Sequence, residues 1–464
     1  MKKSRLWEML LSLDKKEERD LRKFLRSPYF NLREDVAHLF EYLLRLKSKG
    51  EHPPDKPALF QAIYGDEPYE DHRMRMLASM LLKLIERYLV VRSVEDQELE
   101  YKTRLAAVFR KRNLPRHLET TLRQLEELQE KGDYRNAEFY DYRFRAEFER
   151  YQYAAANRRT DHLNLQDLAD QLDLAYMARK LRQTCFSLSH QAVYRTEYRF
   201  GLIQELLAYI DQENWQRIPA VGIYYHCYLA LVHPEEEEHF LAFRRQIREF
   251  GHQFPPFEIR NLYLLAINYC IKKYNAGDKA YLEEELQLYR EGLEKGYLLI
   301  NDHISRFTFR NVVTIGLIMK EYDWVERFIE EYRDRLEDEY RESMYSFCRA
   351  NLEYERKQYD KALQLLQKSE YRDLLLNLAA KTLLLRIFFE LGEYALLDSH
   401  LEAMRSFIRR KDIISYHKEN YLNTIAFTKK LMNLGYDPTG REALRTQIAQ
   451  TSALAEREWL LEQI

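Results

Sequence analysis

Lys357-Gln358-Tyr359-Asp360-Lys361-Ala362-Leu363 is the stretch whose reading decides the fold. It is a short polar turn with a tyrosine, set between two segments of apolar residues at helical spacing. The same arrangement stands at Lys320-Glu321-Tyr322-Asp323 and at Gly392-Glu393-Tyr394-Ala395, so the three tyrosines are 37 and 35 residues apart. The flanking segments repeat apolar residues at i, i+3, i+4 and i+7, as Leu363 and Leu366 do, which predicts two helices per repeat. Working outward, first helices are predicted to start near Ala220, Phe257, Asp302, Glu342, Asn377 and Ile413. A pair of helices recurring at such a period predicts a helical solenoid. One pair cannot bury its own apolar face, so its neighbours supply the core.

These turns resemble the tetratricopeptide repeat (TPR), where a Gly-x-Tyr turn precedes a small residue three positions later. Ala362 fits that small position, whereas Val325 and Leu397 are larger, and the usual proline at the end of the repeat is missing from all three units. The resemblance is clearest over residues 306–405, and the pairs from about residue 220 are weaker relatives. It implies an α-α superhelix whose concave face, lined by the first helix of each pair, recognises an extended peptide or a helix of a partner protein. The positions facing such a groove are Arg310, Thr314, Asn351, Tyr354, Glu355, Thr382, Arg386 and Glu390. The Lys/Asn constellation that clamps chaperone carboxylates in some TPR domains is not reproduced, because Thr314, Cys348 and Ala379 occupy three of its places.

The rest of the chain agrees with an all-α reading. Its 464 residues hold only 13 glycines and 11 prolines, with 46% apolar residues, which argues against disorder and turn-rich β folds. Residues 1–96 read as an N-terminal helical domain. Asp14-Lys15-Lys16-Glu17 fits a capping box that opens a helix to about Arg26, and Ser27-Pro28 then enforces an extended turn. The Ser27-Pro28-Tyr29-Phe30-Asn31 block resembles one in bacterial proteins without assigned activity, and implies none here. Residues 97–219 form an irregular region of longer helices, 220–440 the TPR-like repeats, and 441–464 a capping helix through Leu444, Leu454, Trp459 and Leu460. The charged run from Glu321 to Glu342 reads as an acidic helix with a solvated face.

Function is read as a class. Seventy-three Lys and Arg against 75 Asp and Glu argue against wholesale polyanion binding. Between residues 101 and 160, however, 14 basic residues face 9 acidic ones, and Arg143, Arg145 and Arg150 interleave with aromatics. Such a pattern binds single-stranded nucleic acid by stacking and phosphate contact. The stripe of Tyr140, Phe144, Phe148 and Tyr151 reads more simply as a core face. No phosphate-binding glycine loop is present. His226-Cys227, His233 and His239 lie near Glu235 to Glu238, which read as a helix start rather than zinc ligands. The four cysteines are dispersed among apolar residues and read as buried thiols. The expectation is a non-catalytic cytoplasmic scaffold or adaptor that binds another protein, without cofactor, metal or membrane span. Nucleic-acid association through 101–160 is the alternative.

Overall fold

The computed structural model describes residues 4–157, 163–194, 196–368, 371, 373–410, 415–434 and 438–464. The chain is all-α and solenoid-like: among the described residues it forms 23 helices packed in neighbouring pairs and is 79% helical. It divides into two compact units, 1–179 and 180–464.

The first unit opens with α1 (Arg5–Ser12), α2 (Lys15–Arg26), α3 (Glu34–Ser48), α4 (Lys56–Tyr64) and α5 (Asp71–Glu95). These five close around one core that includes Trp7, Leu21, Leu39, Phe40, Phe60, Leu77 and Ile85. The capping box forms as the sequence predicts. The Glu17 amide donates to Asp14 Oδ1 at 2.7 Å and the Asp14 amide to Glu17 Oε2 at 2.9 Å. Asn31 then fixes the proline turn by donating to the carbonyls of Leu25 and Arg33 at 2.9 and 2.8 Å. Three longer helices follow, α6 (Glu98–Lys111), α7 (Pro115–Lys131) and α8 (Ala137–Asn157), around a small core of Ala106, Leu118, Leu122, Leu125 and Ala146. The boundary between the units falls inside α9 (Leu165–Tyr194).

The second unit runs through α10 (Ile203–Gln212), α11 (Pro219–Val232), α12 (Glu237–Phe250), α13 (Pro256–Asn275) and α14 (Tyr281–Glu294). It continues with α15 (Arg306–Ile318), α16 (Tyr322–Tyr332), α17 (Arg341–Glu355), α18 (Tyr359–Lys368), α19 (Leu374–Glu390) and α20 (Tyr394–Arg410). It ends with α21 (Ser415–Asn433), α22 (Pro438–Gln450) and α23 (Arg457–Glu462). Each odd-numbered helix from α11 to α19 packs on the next one in the chain, giving the predicted pairs. Four of the predicted first-helix starts, near 220, 257, 342 and 377, lie within a few residues of Pro219, Pro256, Arg341 and Leu374. The start near Ile413 lies outside the described residues.

Three sequence expectations change. The start near Asp302 moves to Arg306, because Asn301 and Asp302 both take left-handed conformations and turn a two-residue hairpin, Leu299–Ile300 against His303–Ile304. The acidic stretch from Glu321 to Glu342 is not one helix: α16 ends at Tyr332, and a 3₁₀ turn follows at Arg333–Arg335. The terminal capping helix is two helices. Glu456 stands at φ 57°, and the Arg457 guanidinium donates to the carbonyls of Ala449 and Thr451 at the end of α22. The chain therefore folds back before α23.

The repeated turns share one geometry. Tyr322, Tyr359 and Tyr394 each begin the second helix of a pair, and the residue two positions earlier is left-handed: Lys320 at φ 60°, Lys357 at φ 60° and Gly392 at φ 73°. Glycine enters that region without steric cost, whereas a residue with a Cβ pays about 1–2 kcal/mol. The three small positions, Val325, Ala362 and Leu397, are all fully buried. In the α15–α16 pair the larger Val325 is accommodated by Gly316, where an added Cβ would collide with Val325 Cγ2. The bulk absent from one helix is present on the other.

Candidate functional site: the groove of the second unit

All eight residues predicted to line the groove border two adjoining cavities in the second unit. The larger, about 700 Å³, is lined among others by Arg310 and Thr314 from α15, Asn351 and Glu355 from α17, and Thr382 and Arg386 from α19. The smaller, about 420 Å³, holds Tyr354, Glu355, Arg386 and Glu390. Successive first helices thus bring their inner faces together, because residues three and four apart share a helix face. Pairing α16, α18 and α20 on the other side leaves that face uncovered by the repeats.

The eight are not equivalent. Tyr354 and Thr382 are buried, and Thr382 Oγ1 donates to its own helix at the Leu378 carbonyl, 2.9 Å away. Thr314 and Asn351 also bond within their helices, to the carbonyls of Arg310 and Phe347 at 2.9 Å each. They nevertheless keep surface towards the larger cavity. Arg310 lies over the Phe347 ring with its guanidinium carbon 5.4 Å from the centroid. Among the described residues it makes no ion pair.

At the other end the chain's own terminus returns to the groove. Arg386 Nη1 pairs with Glu456 Oε2 at 3.1 Å, Nη2 with Glu355 Oε1 at 3.6 Å, and the guanidinium stacks over Tyr354 at 4.4 Å. Trp459 Nε1 donates to Glu390 Oε1 at 3.0 Å, and its ring meets Phe389 edge-on at 5.4 Å between centroids. Glu390 also accepts hydrogen bonds from the Tyr354 and Tyr359 hydroxyls and from Lys357 Nζ. Burial disfavours its charge, but these four donors outweigh burial and hold its carboxyl at about 2. Glu355 goes the other way, its carboxyl raised by burial, which Arg386 only partly offsets. The terminal segment is tied down by Asn423 and Thr424 of α21, which donate to the carbonyls of Ala453 and Ala455 at 2.8 Å each.

Sequence reasoning did not find Glu456, Trp459, Phe389 or Lys357 as parts of this site. The contact of Trp459 with Glu390 spans 69 residues, and helical periodicity carries no information at that range. The one available signal was an indole beside Leu460 in a segment otherwise polar enough to serve as a cap.

Elsewhere the sequence candidates are engaged with their own chain. Arg145 pairs with Glu100 at 2.8 Å, Arg150 with Glu126 and Glu147, and Arg143 with Glu130 at 3.7 Å. Tyr140, Phe144, Phe148 and Tyr151 are half-buried rather than core; Phe139, Ala146 and Glu149 take the buried positions of α8, Glu149 paired to Arg110. Arg158 and Arg159 lie outside the described residues. Cys185, Cys227, Cys270 and Cys348 are all buried, and burial pushes the Cys348 thiol up to about 12. Glu237 and Glu238 occupy the first turn of α12, as the macrodipole favours. Nearby, His233 with Glu235 and Glu236, and His239 with Glu236 and Glu238, bring carboxylates and imidazoles within 4.8 Å in mostly exposed positions. Burial, together with the neighbouring His239, lowers the His226 imidazole to about 4, so it is neutral at pH 7. Among the described residues, no helix is long and apolar enough to cross a membrane.

Comparison with known proteins gives no relative to lean on: no family model, no curated protein and no solved structure matches the chain.

Proposed function

We propose that the protein is a non-catalytic scaffold or adaptor of TPR-like kind, in the cytoplasm, which recognises a segment of a partner protein on the inner face of its helical pairs. One observation carries this reading: side chains from three successive first helices, Arg310, Asn351 and Arg386 among them, converge on one half-open cavity of about 700 Å³. A cavity shared by consecutive repeats suits an extended or helical ligand that crosses them, because each repeat contributes one or two contacts. The contacts proposed for the partner are Arg310, Thr314, Asn351 and Glu355. Arg386 and Glu390 hold the chain's own terminus, so they set the end of the partner's path. The nucleic-acid alternative gains nothing from the ion-paired arginines of α8.

A photo-crosslinking amino acid placed at Thr314, which is exposed, tests the reading in the native cytoplasm. Discrete protein adducts that disappear on an added Arg310→Glu change are the expected result. Adducts equally abundant with a crosslinker at exposed Asp360, and indifferent to Arg310→Glu, would place the partner elsewhere.

A further inference from the structure

The groove contains a worked example of what it binds. On α19, Arg386 stacks on the Tyr354 ring at 4.4 Å and in that position takes the carboxylate of Glu456 at 3.1 Å. A guanidinium laid on an aromatic face can still donate from its edge; here Nε donates to the Tyr354 hydroxyl at 3.2 Å and the two Nη groups are left to meet carboxylates. A looser arginine-on-aromatic contact occurs a second time in the larger cavity. Arg310 of α15 lies over the Phe347 ring of α17 at 5.4 Å. In both cases an arginine of one first helix rests on an aromatic residue of the neighbouring first helix. The two differ in three respects: Arg386 Nε also donates to the Tyr354 hydroxyl at 3.2 Å, a partner Phe347 cannot offer, its ring contact is the closer, and the described residues give Arg310 no carboxylate partner.

The surroundings of Arg310 fit an acidic ligand delivered from outside. The cavity is half-open, and Thr314 and Asn351 border it with Arg310, while Lys320 borders it beyond the far end of α15. Arg310 is half-buried, so its charge is screened by water less than that of an exposed arginine. Four acidic side chains share the lining with Arg310: Glu355 and Glu456, which pair with Arg386, and Glu458 and Glu462 of α23, none of which pairs with Arg310 among the described residues.

We infer that Arg310, stacked on Phe347, is the seat of a side-chain carboxylate from an acidic segment of the partner protein, as Arg386 on Tyr354 is the seat of Glu456. This rests on the groove reading above and adds the chemistry of its ligand. The partner carries Asp or Glu where it passes α15 and α17, and its path stops where Glu456 and Trp459 already occupy the groove.

The test uses the full-length chain and a fluorescent decaglutamate peptide amidated at its C-terminus, so that only side-chain carboxylates are presented. Fluorescence anisotropy is expected to show saturable binding that weakens with salt. Arg310→Gln is expected to weaken it at least tenfold. Arg310→Lys is expected to lose less, because it keeps the charge but not the planar stack on Phe347. A second measurement needs no variant: decaglutamate should protect Arg310 of the unmodified chain from phenylglyoxal several-fold, read by mass spectrometry. Equal affinity in Arg310→Gln, or phenylglyoxal modification of Arg310 unchanged by the peptide, overturns the assignment. The groove reading fails separately, through the Thr314 crosslink. Arg310-dependent adducts at Thr314 without decaglutamate binding would leave the groove standing and remove the carboxylate seat.

Discussion

Around α19, Arg386 and Glu390 are fully engaged with Glu456, Trp459, Tyr354 and Tyr359, while around α15, Arg310 faces the larger cavity and makes no ion pair among the described residues. Both ends are built from the inner faces of first helices in one array. The difference comes from a segment about 70 residues further along the chain, which lines the same cavity but among the described residues pairs with Arg386 and not with Arg310. A groove position in a repeat array is therefore not functional by its register alone. It is available when no later part of the chain satisfies it, and structural when one does.

The strongest way to break this comparison is to treat the occupied end as removable. Trp459 is buried with Leu460 in a core shared with Leu378, Leu385, Leu397 and Ile448. Trp459→Ala is expected to cost about 3–5 kcal/mol, read as a lower urea midpoint for the second unit. A loss below about 1 kcal/mol would show that the terminus rests on the groove without holding it.

Glu390→Gln comes next, and it has a pH signature. The folded carboxyl is held at about 2, below its ordinary 4.5, so its contribution is fully present above about 4.5 and is lost as pH falls through 2. The stability gap between wild type and variant is expected to be on the order of 3 kcal/mol at pH 7 and to close between pH 4.5 and 2. A gap that is constant from pH 7 to 2 would mean that Glu390 acts by shape rather than by charge.

Smaller effects sharpen the contrast at the turns. Gly392, in the turn after α19, has φ 73° and no atom within 4 Å of an added Cβ, so Gly392→Ala is expected to cost about 1 kcal/mol through backbone strain alone. Lys320 already carries that strain at the corresponding turn after α15. The smallest effect is expected at the open end. Arg310→Gln should leave thermal stability within about 0.5 kcal/mol while abolishing Arg310-dependent crosslinking.

What the sequence disclosed follows physical range. Tyr322, Tyr359 and Tyr394 mark turns whose geometry is local, so their spacing located the helix pairs to within a few residues. Asp14 and Glu17 are three residues apart, and the capping box formed as read. Groove positions were legible as far as helix faces go, since Arg310, Asn351 and Arg386 do share a cavity. The fate of each was not. Tyr354 is a donor to Glu390 rather than a free groove residue, and Glu390 is the hub of four hydrogen bonds, because Tyr354, Lys357, Tyr359 and Trp459 all reach it from other parts of the chain. The break at Glu456 was equally hidden, because nothing in Thr451-Ser452-Ala453 stops a helix by composition as a proline would. Arg457 makes the break by taking the carbonyls of α22.

Hydrogen exchange on the intact chain tests most directly whether the two ends of the groove differ as described. Amides of α23, residues 457–462, should exchange as slowly as those of α19, residues 374–390, since both belong to one core. Amides of α15 facing the cavity, around Arg310 and Thr314, should become at least tenfold slower when the crosslinked partner is supplied, with α23 unchanged. Slowing confined to α23, or faster exchange of α23 on partner binding, would contradict the account by showing that the partner takes the terminus's place.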